Sequence, residues 1–116
     1  MADRLARTLS ADGTVRGLAA VTTELVEEAR VRHGTLPTAT AALGRALTAG
    51  LLLGGLSKAD ERVSLQWSGD GPLGSILVDA TPGGHVRGFT GATRVRRPSR
   101  ARRAGAPPRR RRSGAR

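Results

Sequence analysis

The spacing of apolar positions changes twice along the chain, from a strand-like period to a helical one and back. Two strand-like runs, 4–10 and 14–21, flank the pair Asp12-Gly13. An Asp-Gly pair between two strands predicts a hairpin with a type I′ turn, in which both central residues have positive φ. We therefore expect the chain to begin with a β-hairpin.

The segment 22–34, TTELVEEARVRHG, is predicted to form a helix. Its glutamates crowd the start and its basic residues crowd the end, an order that complements the helix dipole. Thr22 or Thr23 can supply the N-cap hydroxyl, and Gly34 stands where a left-handed C-cap residue is needed.

A second helix is predicted from Pro37 to about Leu56, because proline suits the first helical turn. Arg45 is the one charged residue in this segment. A helix that is apolar on nearly all sides should be buried on nearly all sides, so we expect it between layers of the fold. Its uncharged part, 46–56, has 11 residues, which is short of the roughly 20 that span a bilayer, and we expect no membrane contact.

The last part of the body returns to strand spacing. Residues 62–68 alternate cleanly, SILVDA (75–80) is a second strand, and HVRGF (85–89) begins a third. Strands, then helices, then strands predict an α+β fold, with β-sheets around a buried apolar helix. The simplest interpretation of the apolar strand residues is that they belong to the hydrophobic core, and their alternation favours it. These residues are Leu65, Trp67, Ile76 and Val78.

Charge divides the chain into a neutral body and a basic tail. Residues 1–93 hold nine basic and nine acidic side chains, whereas 94–116 hold 11 arginines and no acid. Because the tail has almost nothing to bury, we expect it to be disordered. Eleven arginines would also bind nucleic acid or another polyanion non-specifically, which is the alternative function.

Candidate chemistry is sparse. The chain has no cysteine and two isolated histidines, so thiol catalysis and thiolate metal sites are excluded, and we expect neither a cofactor nor an enzyme. Gly69, Gly71 and Gly74 match a dinucleotide fingerprint, but that fingerprint needs a following helix, and SILVDA predicts a hairpin instead. The N-terminus lacks an apolar signal core, so a cytoplasmic protein is expected.

Four stretches in combination resemble one family. They are VRGLAAVTTELVEEARVRH, PTATAALGRALTA, LQWSGDGPLGSILVDA and VRGF. In this order and spacing they are similar to the N-terminal domain of the 33 kDa heat shock protein family, the redox-regulated holdase chaperones of bacteria. The resemblance covers about residues 2–91, so we expect a partial domain at 1–91 and a tail at 92–116. The motif positions, taken as structural, are Pro37, Leu43, Gly44, Arg45, Gly69, Gly71, Pro72, Gly74, Arg87 and Gly88.

The resemblance implies a function. Members bind unfolding client proteins without ATP under oxidative stress, so unfolded proteins are the expected partners. They hold zinc through four cysteines of a C-terminal domain, and oxidation releases the metal. A chain without cysteine should lack that zinc and that switch. With part of the domain missing, strand faces should be uncovered, and Leu65, Trp67, Ile76 and Val78 are the client-binding candidates. The oligomeric state stays open.

We have a specific hypothesis for why the resemblance stops at about residue 91. Family members continue after VRGF with a turn like GNP, whereas this chain reads GFTGATRV. Read in a shifted frame, from its second base, GGC AAC CCG CGT becomes GCA ACC CGC GT, which encodes Ala-Thr-Arg-Val, residues 92–95 as they stand. A GC-rich gene read in that frame yields mostly arginine, alanine, proline and glycine. We expect a frameshifted or truncated member, and a coding sequence with no cysteine-containing continuation in another frame would contradict this.

Overall fold

The computed structural model describes residues 2–95. Two helices and five strands follow the order ββααβββ, and the α+β expectation is confirmed. The strands form a two-stranded sheet, β1-β2, and a three-stranded antiparallel sheet in the order β3-β4-β5. The elements are β1 Arg4–Leu9, β2 Arg16–Val21, α1 Thr23–His33, α2 Pro37–Leu56, β3 Val63–Ser68, β4 Ser75–Ala80 and β5 Val86–Thr90.

The N-terminal hairpin forms as expected, but its turn differs. Gly13 has φ of 74°, whereas no residue other than glycine has positive φ in the described range, so the type I′ prediction is wrong. The Ser10 carbonyl accepts a hydrogen bond from Gly13 N, which is a turn with serine first and glycine fourth, as in type I. The Asp12 carboxylate accepts from the backbone N–H and hydroxyl of Thr14. These bonds hold Asp12 at negative φ and lengthen the loop.

Helix α1 is capped from outside its own sequence. Thr22 is the N-cap residue but makes no side-chain cap bond, because its hydroxyl pairs with that of Thr48 on α2. The carboxylate of Asp3, just before β1, accepts from Glu24 N at 2.9 Å and Leu25 N at 2.7 Å. At the other end Gly34 has φ of 61°, which confirms the left-handed C-cap.

Helix α2 lies between the two sheets, as its apolar sequence predicts. Its glycines set the spacing, because each allows a close approach that a Cβ would prevent. A Cβ on Gly54 would meet Ala80 of β4 at 2.9 Å, and one on Gly55 would meet Leu18 of β2 at 2.6 Å. The GxxxG of Gly50 and Gly54 therefore packs α2 against the sheet.

The three-stranded sheet and α2 share the core. Leu43, Leu47 and Val78 are the largest fully buried side chains, and Ala46 and Ile76 join them in one cluster. The loop 69–74 closes the β3-β4 hairpin, with Gly69 N donating to the Gly74 carbonyl. A strand follows this loop, so the hairpin interpretation is confirmed and the dinucleotide alternative is wrong.

The length of α2 corrects one expectation. Within residues 2–95, α2 is the one helix long and apolar enough to cross a bilayer by length and composition. The 11-residue count covered only the uncharged part of α2 after Arg45, whereas the whole helix, predicted from Pro37 to about Leu56, has 20 residues. This test is weak evidence for a span, because core helices also pass it, and the sheet contacts of α2 are those of a core helix.

The chain stays attached to the body beyond β5. Gly91 N donates to the Ser75 carbonyl, and the Thr93 carbonyl accepts from Leu36 N at 2.9 Å. These bonds return the chain to the start of α2. The expectation of a disordered tail falls mainly on residues 96–116, which lie outside the described residues.

Candidate functional site

The four client-binding candidates from the sequence lie on one face of the three-stranded sheet. In the β3-β4 register, Leu65 is opposite Val78 and Trp67 is opposite Ile76. Residues opposite each other on antiparallel strands have their side chains on the same face. The register therefore places the four candidates together on one face of the sheet.

Burial divides the four candidates. Val78 is 1% exposed and Ile76 is 8% exposed, and both belong to the core. Leu65 is partly buried and packs at the margin of that core, whereas Trp67 is 42% exposed. Leu65 and Trp67 are accessible in the folded protein, and Ile76 and Val78 are their buried neighbours on the same face.

Strand β3 also has a free backbone edge. Within residues 2–95, β4 is the one strand that pairs with β3. Unpaired N–H and C=O groups along such an edge can accept another extended segment. Trp67 and Leu65 therefore border a strand edge that is open to pairing.

A second exposed apolar pair lies on the opposite face of the sheet and was missed from the sequence. Leu77 and Phe89 are directly opposite each other in the β4-β5 register and are 36% and 50% exposed. The run Ile76-Leu77-Val78 is apolar throughout, so its pattern did not show which residue points outward. The register supplies that information.

Polar residues on the same outer face fix one carboxylate. Ser64 donates to Asp79 at 2.6 Å, and Arg87 lies 3.5 Å from the other oxygen of Asp79. The Ser64 hydrogen bond, followed by the charge of Arg87, holds the pKa of Asp79 below its usual value. Asp79 stays charged at neutral pH beside the Leu77–Phe89 pair.

The family-motif residues have structural positions. Leu43 is in the core, and Gly44 and Gly88 allow close packing: a Cβ on Gly44 would lie 2.8 Å from Val26, and one on Gly88 would lie 2.6 Å from the Leu77 carbonyl. Pro37 occupies the first turn of α2. Exposed positions on α2, on β5 and in the 69–74 loop hold the rest of the set, which comprises Arg45, Arg87, Gly69, Gly71, Pro72 and Gly74.

The described residues contain no cluster of metal-ligating side chains. No group of three or more His, Asp or Glu side chains there has the geometry to hold a metal ion. The described residues form three exposed apolar surfaces: the β3 edge with Trp67, the Leu77–Phe89 pair, and an open groove along α2.

The comparisons with known proteins agree on one family. A family model described as Hsp33 protein matches residues 3–107, which extends past Gly91, where the quoted motifs stop. The 33 kDa chaperonin of Symbiobacterium thermophilum is 58% identical over 90 residues, or 77% of this chain and 30% of that protein. That of Geobacter sulfurreducens is 54% identical over 87 residues, or 75% and 29%.

A solved structure is also similar. The crystal structure of the 33 kDa chaperonin from Thermotoga maritima matches with a TM-score of 0.77 and 32% sequence identity. The match covers 83% of this chain and 33% of that one. This chain therefore spans about a third of the length of the relatives it matches.

Proposed function

The chain belongs to the Hsp33 protein family, and we propose that it acts as an ATP-independent holdase that binds unfolded polypeptides. The observation that carries the proposal is the open β3 edge, with Trp67 42% exposed beside it. An unfolded segment can add to such an edge by backbone hydrogen bonds while the indole covers an apolar side chain. This activity needs no catalytic group, and the chain is proposed to be a binding protein rather than an enzyme.

A holdase of this kind must recognise client polypeptides without regard to their sequence. Backbone pairing at an edge is independent of client sequence, because every residue except proline presents the same N–H and C=O groups. Leu65 at the core margin adds apolar contact next to Trp67. We propose Leu65 and Trp67 as contact residues, with Ile76 and Val78 as their buried support.

The test is suppression of client aggregation. Chemically denatured citrate synthase is diluted into buffer with the full 116-residue chain, and light scattering is followed with and without ATP. We expect scattering to fall as the chain is added, by the same amount in both conditions. A folded chain that leaves scattering unchanged would contradict the proposal.

The two aromatic residues of the chain make a matched pair for locating the surface. Trp67→Ala should weaken suppression about five-fold or more, the effect of losing a contact worth over 1 kcal/mol. Phe89→Ala, on the opposite face, is the control and should retain suppression. If the Phe89 variant is the weaker one, the client surface is the outer face and the β3 assignment is wrong.

A second candidate function rests on charge. The 11 arginines of residues 94–116 favour non-specific binding of nucleic acid or another polyanion. The chain has one Trp, one Phe and no Tyr, and both aromatics lie before the tail, so base stacking from the tail is not expected. We propose that this binding is incidental to the chaperone role.

A further inference from the structure

The hydrogen bonds at the two ends of the β4-β5 pair fix which residues of β4 bond to each neighbouring strand. Thr81 N donates to the His85 carbonyl at one end, and Gly91 N donates to the Ser75 carbonyl at the other. In an antiparallel pair, residues that exchange hydrogen bonds alternate with residues that do not. The odd-numbered residues of β4 therefore bond to β5, and its even-numbered residues bond to β3.

The β3-β4 hairpin shows the same alternation. Gly69 N donates to the Gly74 carbonyl, so the odd-numbered residues of β3 bond to β4 and its even-numbered residues direct their N–H and C=O groups away from it. Within residues 2–95 no second strand pairs with β3. The residues that present backbone groups on the free edge are therefore Ser64, Gln66 and Ser68.

The two faces of β3 differ in polarity. Leu65 and Trp67 lie on the face that packs on α2, and Trp67 remains 42% exposed there. The opposite face of β3 holds the hydroxyls of Ser64 and Ser68 and the side-chain amide of Gln66. Each residue whose backbone faces the free edge thus has a polar side chain, and the apolar side chains lie between them.

These positions define the segment that complements the edge. In an antiparallel addition, the residues that exchange hydrogen bonds lie opposite Ser64, Gln66 and Ser68, with their side chains on the polar face. The residues opposite Leu65 and Trp67 form non-bonded pairs, in which the Cα atoms are about 4.5 Å apart and the side chains are closest. A complementary segment is therefore polar and apolar in strict alternation.

We propose that the β3 edge selects extended client segments in which polar and apolar residues alternate, and that they pair antiparallel with β3 through the backbone of their polar residues. The inference rests on the proposed holdase function and specifies its client class. The selection is for a pattern, which is that of any half-buried strand, so clients of many sequences satisfy it.

N-methylated peptides test this pairing on the full 116-residue chain. The parent peptide alternates threonine and valine between two lysines and has blocked ends. One form carries N-methyl groups on both valines and the other carries them on two threonines. By fluorescence anisotropy, we expect the valine-methylated form to bind within about twofold of the parent and the threonine-methylated form to bind about tenfold more weakly, because two edge hydrogen bonds are lost.

The other edge of the sheet predicts the opposite order of affinities. On β5 the residues that face away from β4 are 86, 88 and 90, and their side chains lie on the α2 face, where Val86 packs against the core and Thr90 is buried. An antiparallel segment added there bonds through its apolar residues. Weaker binding of the valine-methylated form would place the segment on β5 or parallel to β3, and would overturn the proposal.

A change in the chain tests the same edge. Gln66→Pro removes an N–H that points away from β4, and proline is accepted on edge strands in that orientation. The variant should bind the parent peptide about tenfold more weakly, with circular dichroism and a cooperative thermal transition showing that it is folded. A folded variant with the affinity of the wild type would contradict pairing at this edge.

The aggregation assay separates this inference from the function on which it rests. The same preparation of the chain is tested with denatured citrate synthase. If it suppresses aggregation but binds both methylated peptides equally, edge pairing is wrong and the holdase proposal stands. If it does not suppress aggregation, the holdase proposal itself fails, whatever the order of the peptide affinities.

Discussion

Replacing Gly54 by alanine has two opposite effects on stability. It raises the helix propensity of α2, and it brings the new Cβ into a steric clash with β4. The new Cβ would lie 2.9 Å from the Ala80 Cβ and 3.0 Å from the Thr81 carbonyl oxygen. Carbon atoms pack at about 3.5–4.0 Å, and neither neighbour has a side-chain torsion that could move it away. Helix α2 must therefore shift from β4, an overpacking that costs about 1–3 kcal/mol.

The adjacent glycine supplies the matched control. A Cβ on Gly55 would meet Leu18 Cδ2 at 2.6 Å, but that methyl group ends a flexible side chain and can rotate away. Both substitutions gain about 0.8–1.0 kcal/mol of helix propensity at most. We expect Gly55→Ala to be neutral or stabilising, and Gly54→Ala to be less stable than it by about 1–3 kcal/mol.

Urea denaturation measures this difference, with Trp67, the single tryptophan, as the fluorescence probe. The difference corresponds to a shift in thermal midpoint of about 4–8 °C per kcal/mol for a domain of this size. Gly54→Ala with a free energy of unfolding equal to or above that of Gly55→Ala would refute the packing argument. Equal m-values for the two variants are required for the comparison.

Three further outcomes are expected. Asp3→Ala should lower the free energy of unfolding by about 0.5–2 kcal/mol because α1 loses its cap, whereas Asp3→Asn, which can still accept a hydrogen bond, should be near wild type; equal loss in both would contradict the cap. Hydrogen bonds from Ser10 and Thr14 lower the pKa of Asp12 to about 2, so the stability that its ionised form provides is present above pH 3.8 and is lost as pH falls through about 2. An NMR titration of the Asp12 carboxyl with a midpoint near 3.8 would disprove the lowered pKa and the pH dependence derived from it. The affinity of the full chain for duplex DNA should fall with salt, with a log–log slope of about −0.9 per phosphate neutralised, and a chain shortened by residues 96–116 that retains this slope would exclude the tail as the cause.

Most elements follow from local sequence. Pro37 and Leu56 bound α2 as predicted, because a proline at the first turn and an apolar run are both local signals. Gly34 ends α1 in the left-handed conformation for the same reason. The prediction of a type I′ turn was wrong because the hydrogen bonds of the Asp12 carboxylate outweigh the preference of an Asp-Gly pair for that turn type.

The candidate site was predictable in part. Alternation placed Leu65 and Trp67 on one face of β3, and the register shows that Ile76 and Val78 of β4 share that face. It could not rank their exposure, because that depends on where α2 lies across the sheet. The Leu77–Phe89 pair was missed because three successive apolar residues carry no period.

The sequence by itself determined the helices and strands, the α+β class, the family and the separation of a neutral body from a basic tail, because each follows from spacing, composition or a local motif. The tertiary structure decided which apolar residues are covered. It placed the Asp3 carboxylate on the start of α1, left Trp67 exposed beside a buried Ile76, and left an open groove along α2. These outcomes depend on contacts between residues distant in sequence, which no local pattern specifies.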